Sequence, residues 1–336
     1  MAATARARMA IVAWCLASAF AATSSVAAKE VSAFAARLSS ADEAMEYWDV
    51  TAWFDSGERV FARFLVTNQG PGRRTAAAVG HVLVGDGDVR PFQWGRREGA
   101  WAFSASGLRF EIGKATLDLS GGAAVLTVKS TKRRVDLRLT IEESGTVSTQ
   151  DILLSSSPPH TYSTTVMAPA AARAELAGRT LTGSGAVTHT WMGRPEEDLL
   201  RRRDEIFARD GDTALYVCVL TPAEGRQHQT LVFGMSGGMG GSVDFSGLVA
   251  GSSADYPVPS TWVGSLEEVH WEATLERERL RMNPLEILPQ PFRFLLSLGG
   301  RPQRIWTDAR VKVDGDKHTT ELRGIAVSTF ARPVER

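Results

Sequence analysis

Arg133-Arg134-Val135-Asp136-Leu137-Arg138-Leu139-Thr140 sets the reading of the whole chain. Val135, Leu137 and Leu139 alternate with Arg134, Asp136 and Arg138. Alternate side chains of a strand share a face, so this stretch predicts a strand with one buried and one wet face. Short runs of the same kind lie before it, at Ala77–Val84, Leu108–Ile112, Ala115–Leu119 and Ala123–Lys129. Gly85-Asp86-Gly87-Asp88, Ser106-Gly107 and Gly121-Gly122 punctuate them. Short strands at this spacing, divided by glycine turns, indicate a sandwich or barrel and not βαβ units.

The pattern extends both ways. Tyr47–Phe54 and Val60–Asn68 flank Asp55-Ser56-Gly57-Glu58, which predicts a hairpin. Val60–Val66 is nearly all apolar, as in a strand buried on both faces or lying in a barrel wall. Residues 34–46 read as a short helix or an ordered lead-in. Ser155-Ser156-Ser157-Pro158-Pro159 reads as a linker. After it, strands are expected at Leu176–Trp191, Asp204–Arg209, Thr213–Leu220, Gln229–Met235, Ser242–Ala250, Trp262–Val269, Trp271–Arg279, Phe292–Gly299, Gln303–Val313 and Thr319–Phe330. The division is then 29–157 and 158–336, with eight to ten strands in each part. Closing each part into an antiparallel barrel removes its open edges. A barrel of that size has room for one small apolar ligand.

The chain has 336 residues, 43% of them hydrophobic and 23% charged, as in an ordinary globular protein. Lysine plus arginine equals aspartate plus glutamate at 38 each, so no global field favours nucleic acid or an anionic membrane. Arg201-Arg202-Arg203 is followed at once by Asp204-Glu205 and reads as a solvated turn or strand edge. At the N-terminus, Arg6 and Arg8 precede the apolar run Met9–Ala22, and Val26-Ala27-Ala28 offers a cleavage site. This predicts a signal peptide over residues 1–28 and an exported protein, periplasmic or secreted. Its cleavage leaves Cys218 as the only cysteine, hence no internal disulfide. Cys218 lies in the apolar run Tyr216–Leu220, as a buried inert thiol does. No later stretch is apolar and long enough to be a transmembrane helix.

Motifs exclude more than they assign. The Gly80–Gly87 and Met235–Gly241 segments lack the Lys-Ser or Lys-Thr step of a phosphate loop. The six histidines are scattered, so no metal is expected. No cofactor is implied. Gly234-Met235-Ser236-Gly237-Gly238 has the spacing of a nucleophile elbow, but the helix that must follow one is missing from the sequence pattern. Seven tryptophans fall between Trp48 and Trp271, most of them expected in the core. Tyr47, Trp48, Trp53 and Trp191 sit on strands that also carry polar residues, which makes them candidates for a ligand wall. Within Gly183-Ser184-Gly185-Ala186-Val187-Thr188-His189-Thr190-Trp191-Met192-Gly193, the side chains of Val187, His189 and Trp191 share one face. His189 can line a cavity, fill a core or act in catalysis.

Three patches resemble the lipocalin-like proteins that include carotenoid 1,2-hydratases (hydroxyneurosporene synthases) and the AttH-type bacterial proteins. Glu46-Tyr47-Trp48 is similar to that family's Glu-Trp-Trp-Tyr opening strand. Gly183–Gly193 is similar to its Gly-x-Gly-Tyr-x-Asp-His-Asn-Trp-Gly signature. Tyr216-Val217-Cys218 lies where the hydratase branch has a tyrosine and an aspartate. The resemblance implies an all-β chain of two tandem lipocalin-like, calycin-like barrels. It departs at two positions, where Thr188 and Cys218 replace aspartates. Hydration of an alkene needs a strong proton donor, and a thiol of ordinary pKa near 8.5 is too weak. His189, Trp191 and Tyr216 are kept, with Tyr47, Trp48 and Trp53 as further wall residues. The expectation is therefore a binder of a hydrophobic small molecule, a lipid or isoprenoid, without hydratase activity. A hydratase or cyclase and an assembly module with filled barrels are the alternatives.

Overall fold

The computed structural model describes residues 33–69, 73–85, 87–144, 147–156, 159–223, 229–234, 243–266, 269–284, 302–314 and 319–334. The expected signal peptide, the Met235–Gly241 turn with the possible nucleophile elbow, the Phe292–Gly299 strand, His228 and His318 lie outside these residues. Among the described residues, twenty strands form two curled antiparallel sheets, each bent into a half-barrel.

The first sheet begins with β1 (Met45–Phe54), β2 (Arg59–Thr67), β3 (Thr75–Val84) and β4 (Asp88–Arg96). β5 (Ala102–Phe103), β6 (Arg109–Ile112), β7 (Ala115–Gly121), β8 (Ala123–Ser130) and β9 (Val135–Ile141) follow. β10 (Val147–Ser156), β11 (Pro159–Leu176) and β12 (Arg179–Met192) complete it. The spatial order is β4-β3-β2-β1-β12-β11-β9-β8-β7-β6-β5, with β10 on the other half of β11. A short helix, α1 (Glu196–Leu199), leads to the second sheet. There β13 (Leu200–Asp210), β14 (Thr213–Pro222), β15 (Gln229–Gly234) and β16 (Val243–Ser246) precede β17 (Thr261–Leu266), β18 (Val269–Met282), β19 (Gln303–Asp314) and β20 (Thr319–Phe330). Their order is β15-β14-β13-β20-β19-β18-β17-β16.

Several expectations hold at residue level. β9 alternates buried and outward residues as the sequence reading requires. The first hairpin forms with Trp53 opposite Arg59 and Gly57 at φ 98°. Residues 34–46 form no helix; the chain enters β1 directly at Met45.

The expected linker at 155–159 is not one. Ser156 and Pro159 face each other at the end of the β10–β11 pair, within the first sheet. The chain changes sheets only after Met192. A Ser-Pro run signals a reversal of the chain, and a reversal joins two paired strands as readily as two domains. β11 itself was absent from the strand expectation. It carries Pro169, which cannot donate to a ladder and argues against a central strand. The register breaks between Met167 and Ala170, where β11 passes from β10 to β9. The proline sits at that break, where no ladder bond is lost.

Three cores result. Trp48, Val50, Ala52, Phe64, Phe110, Leu126 and Leu139 fill the concave side of the first sheet. Ile206, Val217, Trp262, Trp271 and Phe330 fill that of the second. A third core joins the two sheets and contains Tyr47, Trp53, Phe61, Tyr162, Tyr216, Cys218 and Trp306. β1 is buried along its whole length because one face serves the first core and the other serves the third.

Candidate functional site

The six expected wall residues fall in two places, and alternation along β1 divides the three that it carries. Trp48 points into the first half-barrel beside His189, its partner in the β1–β12 register. Trp191 is on that side too, with its ring 5.0 Å from His189. Tyr47, Trp53 and Tyr216 belong to the core between the sheets.

At the first place, His189 is fully buried. Its Nε2 lies 2.8 Å from Glu46 Oε1 and its Nδ1 3.2 Å from the Ala33 carbonyl oxygen. Both ring nitrogens therefore face oxygens. The contact between Nε2 and Oε1 joins the two side chains directly, inside the core. The Glu46 carboxylate also accepts the backbone N–H of Arg37 (2.8 Å) and Leu38 (2.7 Å). Trp48 Nε1 donates to the Phe34 carbonyl at 2.9 Å, and Arg37 lies over the Trp191 ring at 3.8 Å. The lead-in is thus tied down over the histidine. Next to it, Phe34, Leu119, Gly122, Val147, Met167 and Val187 line a pocket with Glu143 as its charged group. Val187 shares the His189 strand face.

The second place is ionic. Asp49 takes two bonds from Arg63, at 2.7 and 2.6 Å. Arg203, 2% exposed, reaches Asp49 (3.2 Å), Glu196 (3.3 Å) and Glu205 (3.3 Å). It also donates to the hydroxyls of Tyr47 (2.5 Å) and Tyr162 (3.2 Å). Tyr216 donates to Glu205 at 2.9 Å. Burial pushes the Asp49 carboxyl up, but the charge and hydrogen bonds of Arg63 outweigh it and hold it at about 2. At Glu205 burial outweighs the attraction of Arg203, and the carboxyl is pushed up. Burial, helped by Glu205, pushes the Cys218 thiol well up, as befits an inert residue.

No family model and no curated protein matches the chain. Solved structures do. A protein from Nitrosomonas europaea assigned as AttH superposes at TM-score 0.62 with 14% identity, over 87% of this chain and 94% of its own. The fold is the lipocalin-like fold of the AttH-type proteins. CghA in complex with Sch210972 shares this AttH-type fold at TM-score 0.56 and 12% identity, over 86% of this chain and 89% of its own. Kievitone hydratase from Nectria haematococca shares it at TM-score 0.54 and 8% identity, with the same two coverages of 86% and 89%. Identities this low carry the AttH-type fold and nothing finer. Among the described residues no helix is long and apolar enough to cross a membrane.

The sequence reading missed the residues that dominate the second place. Arg201-Arg202-Arg203 was expected in a solvated turn or strand edge ahead of a strand from Asp204, yet Arg203 is buried with Asp204 and Glu205 at the centre of β13. A signal for them existed. Three arginines abutting two acids just ahead of the apolar run Ile206-Phe207-Ala208 can continue a strand, provided that partners on facing strands neutralise them. Asp49 is such a partner for Arg203, and its distance in sequence hid it.

Proposed function

We propose that this chain is an exported binder of a hydrophobic small molecule, a lipid or an isoprenoid, held in the pocket beside His189. One observation carries the reading: five apolar side chains, Phe34, Leu119, Val147, Met167 and Val187, converge on a pocket with one carboxylate, Glu143; at about 20 Å³ it must widen to admit the ligand. Small-molecule sites pair apolar walls with a few orienting polar groups in this way. One protein of the same fold holds a small molecule, Sch210972. The test is native mass spectrometry of residues 29–336 purified from the host of origin, with an organic extract analysed in parallel. A near-stoichiometric apolar mass, lost in Met167→Trp, supports the reading. An empty protein that also ignores a panel of lipids and isoprenoids sinks it and leaves the assembly-module reading. Fractionation of the host with an antibody tests export.

A second reading has one specific observation in its favour. The acid missing at Cys218 has a substitute directly across the ladder, since Glu205 pairs with Cys218 in register. Glu205 is buried, held by Tyr216 and pushed toward its protonated form. A protonated carboxyl there can add its proton to one alkene carbon, while water adds to the other and returns a proton to Glu205. Incubation with isoprenoid alkenes in H₂¹⁸O, wild type against Glu205→Gln, decides it: only label incorporation that vanishes in the variant favours a hydratase.

A further inference from the structure

The third core holds a second polar feature that neither reading uses. β2 of the first sheet and β19 of the second face each other across it. Arg59 meets Asp308 at 2.9 Å at one end of this contact. Further along, Phe61 and Trp306 lie with ring centroids 5.7 Å apart. His81, the register partner of Phe61, contacts Trp306 at 4.5 Å in an edge-on arrangement. Arg304, on the same face of β19 as Trp306, places its guanidinium carbon 4.4 Å from the centre of the Phe61 ring. Four side chains from two sheets thus pack against one another, and all are at least nine-tenths buried: His81 1%, Trp306 3%, Phe61 5% and Arg304 5% exposed.

Their hydrogen bonding is incomplete. Arg304 Nε donates to Thr329 Oγ1 at 3.2 Å. Among the described residues no partner takes the two terminal guanidinium nitrogens, and no carboxylate lies within ion-pair distance of Arg304. His81 Nδ1 and Trp306 Nε1 are buried with no partner among the described residues. The neighbouring arginines differ: Arg63 has Asp49 and Glu196, and Arg203 has Asp49, Glu196 and Glu205. A buried charge is kept where something pairs with it. The Phe61 and Trp306 ring faces attract the cation but cannot accept its four terminal N–H bonds. Burial, and then the charge of Arg63, pull the Arg304 guanidinium down to about 10 against the weaker pull of Asp49 and Glu196, so it remains a cation at neutral pH.

We propose that Arg304, His81 and Trp306 form a carboxylate-binding site between the two sheets, and that it takes a small carboxylic acid with a flat apolar body. The planar guanidinium matches two carboxylate oxygens at once, which an ammonium would not. The indole N–H and an imidazole N–H supply further donors to the same group. Phe61 and Trp306 supply flat walls for the body. This site is separate from the pocket beside His189 and does not depend on it.

Benzoate is the probe, titrated into the full mature chain and followed by tryptophan fluorescence and by the thermal unfolding midpoint. Expected are saturable binding, a raised midpoint, and at least a tenfold loss of affinity in both Arg304→Gln and Trp306→Phe. The second variant keeps the ring and removes only the N–H, so it reports even where Arg304→Gln alters folding. Benzyl alcohol, the same body without the charge, should not bind at this site. Failure of the wild type to bind benzoate at millimolar concentration overturns the proposal, and ordered water then completes the site. Benzoate binding unchanged in both variants also overturns it and places the benzoate elsewhere, as in the pocket beside His189.

Discussion

Trp48 lies flat against His189, with ring centroids 4.4 Å apart and planes 10° from parallel. The stack joins the second signature patch of the sequence to the first, and Glu46 then joins both to the lead-in. His189→Ala removes the stack and strands the Glu46 carboxylate. A loss of about 3–5 kcal/mol is expected, typical of breaking a buried paired group. Residues 33–38 should also become open to protease. Urea unfolding together with limited proteolysis checks both effects. Lost stability with a protected lead-in would show that Glu46 holds the segment unaided.

His81 makes stability depend on pH in a defined window. Burial, and then Arg304, pull its pKa from the ordinary 6.5 to about 3, so the folded protein keeps it neutral. Between those values the unfolded chain binds a proton that the native chain does not. Stability therefore rises with pH across the window and falls on acidification from 6.5 towards 3, by up to about 1.4 kcal/mol per pH unit. Unfolding midpoints measured from pH 7 to pH 4 should show this slope, and His81→Phe should flatten it. An unchanged slope in the variant would assign it to another group.

Gly183 is required by close approach rather than by unusual backbone angles. A Cβ there would fall on the carbonyl oxygen of Trp53 across the β1–β12 ladder. Gly183→Ala should cost about 2–3 kcal/mol, in the range of backbone displacement in a packed sheet. Gly193→Ala is the control, because its Cβ would meet nothing. Thermal unfolding of the two variants should separate them clearly.

Replacing Cys218 by aspartate places a second carboxylate opposite Glu205 in the β13–β14 ladder. Two buried like charges repel, and one must stay protonated. Cys218→Asp is expected to lose more than about 3 kcal/mol, with no gain of hydratase activity. Cys218→Ala should lose about 1–2 kcal/mol. Equal stability of the two would mean that the space around Cys218 is wetter than its full burial implies.

Much of the fold was legible because local pattern carries it. The alternation of Val135, Leu137 and Leu139, and the turn at Gly57, are properties of adjacent residues. The pairing of β1 with β12 is not, since Met45 and Met192 meet only through the fold. β11 escaped notice because its proline argues against a strand that a register break in fact accommodates. The wall residues fared unevenly for the same reason. His189, Trp48 and Trp191 do come together, but Tyr47 and Trp53 alternate with Trp48 and so had to face elsewhere. Arg203 was read as solvated because Asp49, Tyr47 and Tyr162, which help to hold it in the core, lie far from it in sequence.

The β1–β12 pairing also fixes an order of events during synthesis. The second strand of this ladder is the last strand of its sheet, so β1 keeps one open edge until residue 192 has been made. Pairings this distant in sequence form slowly, and a waiting edge invites other chains. A fragment ending at residue 157 would lack both β11 and β12. It should aggregate, whereas one ending just after Met192 has every strand of the first sheet and a chance to fold from a single nascent chain.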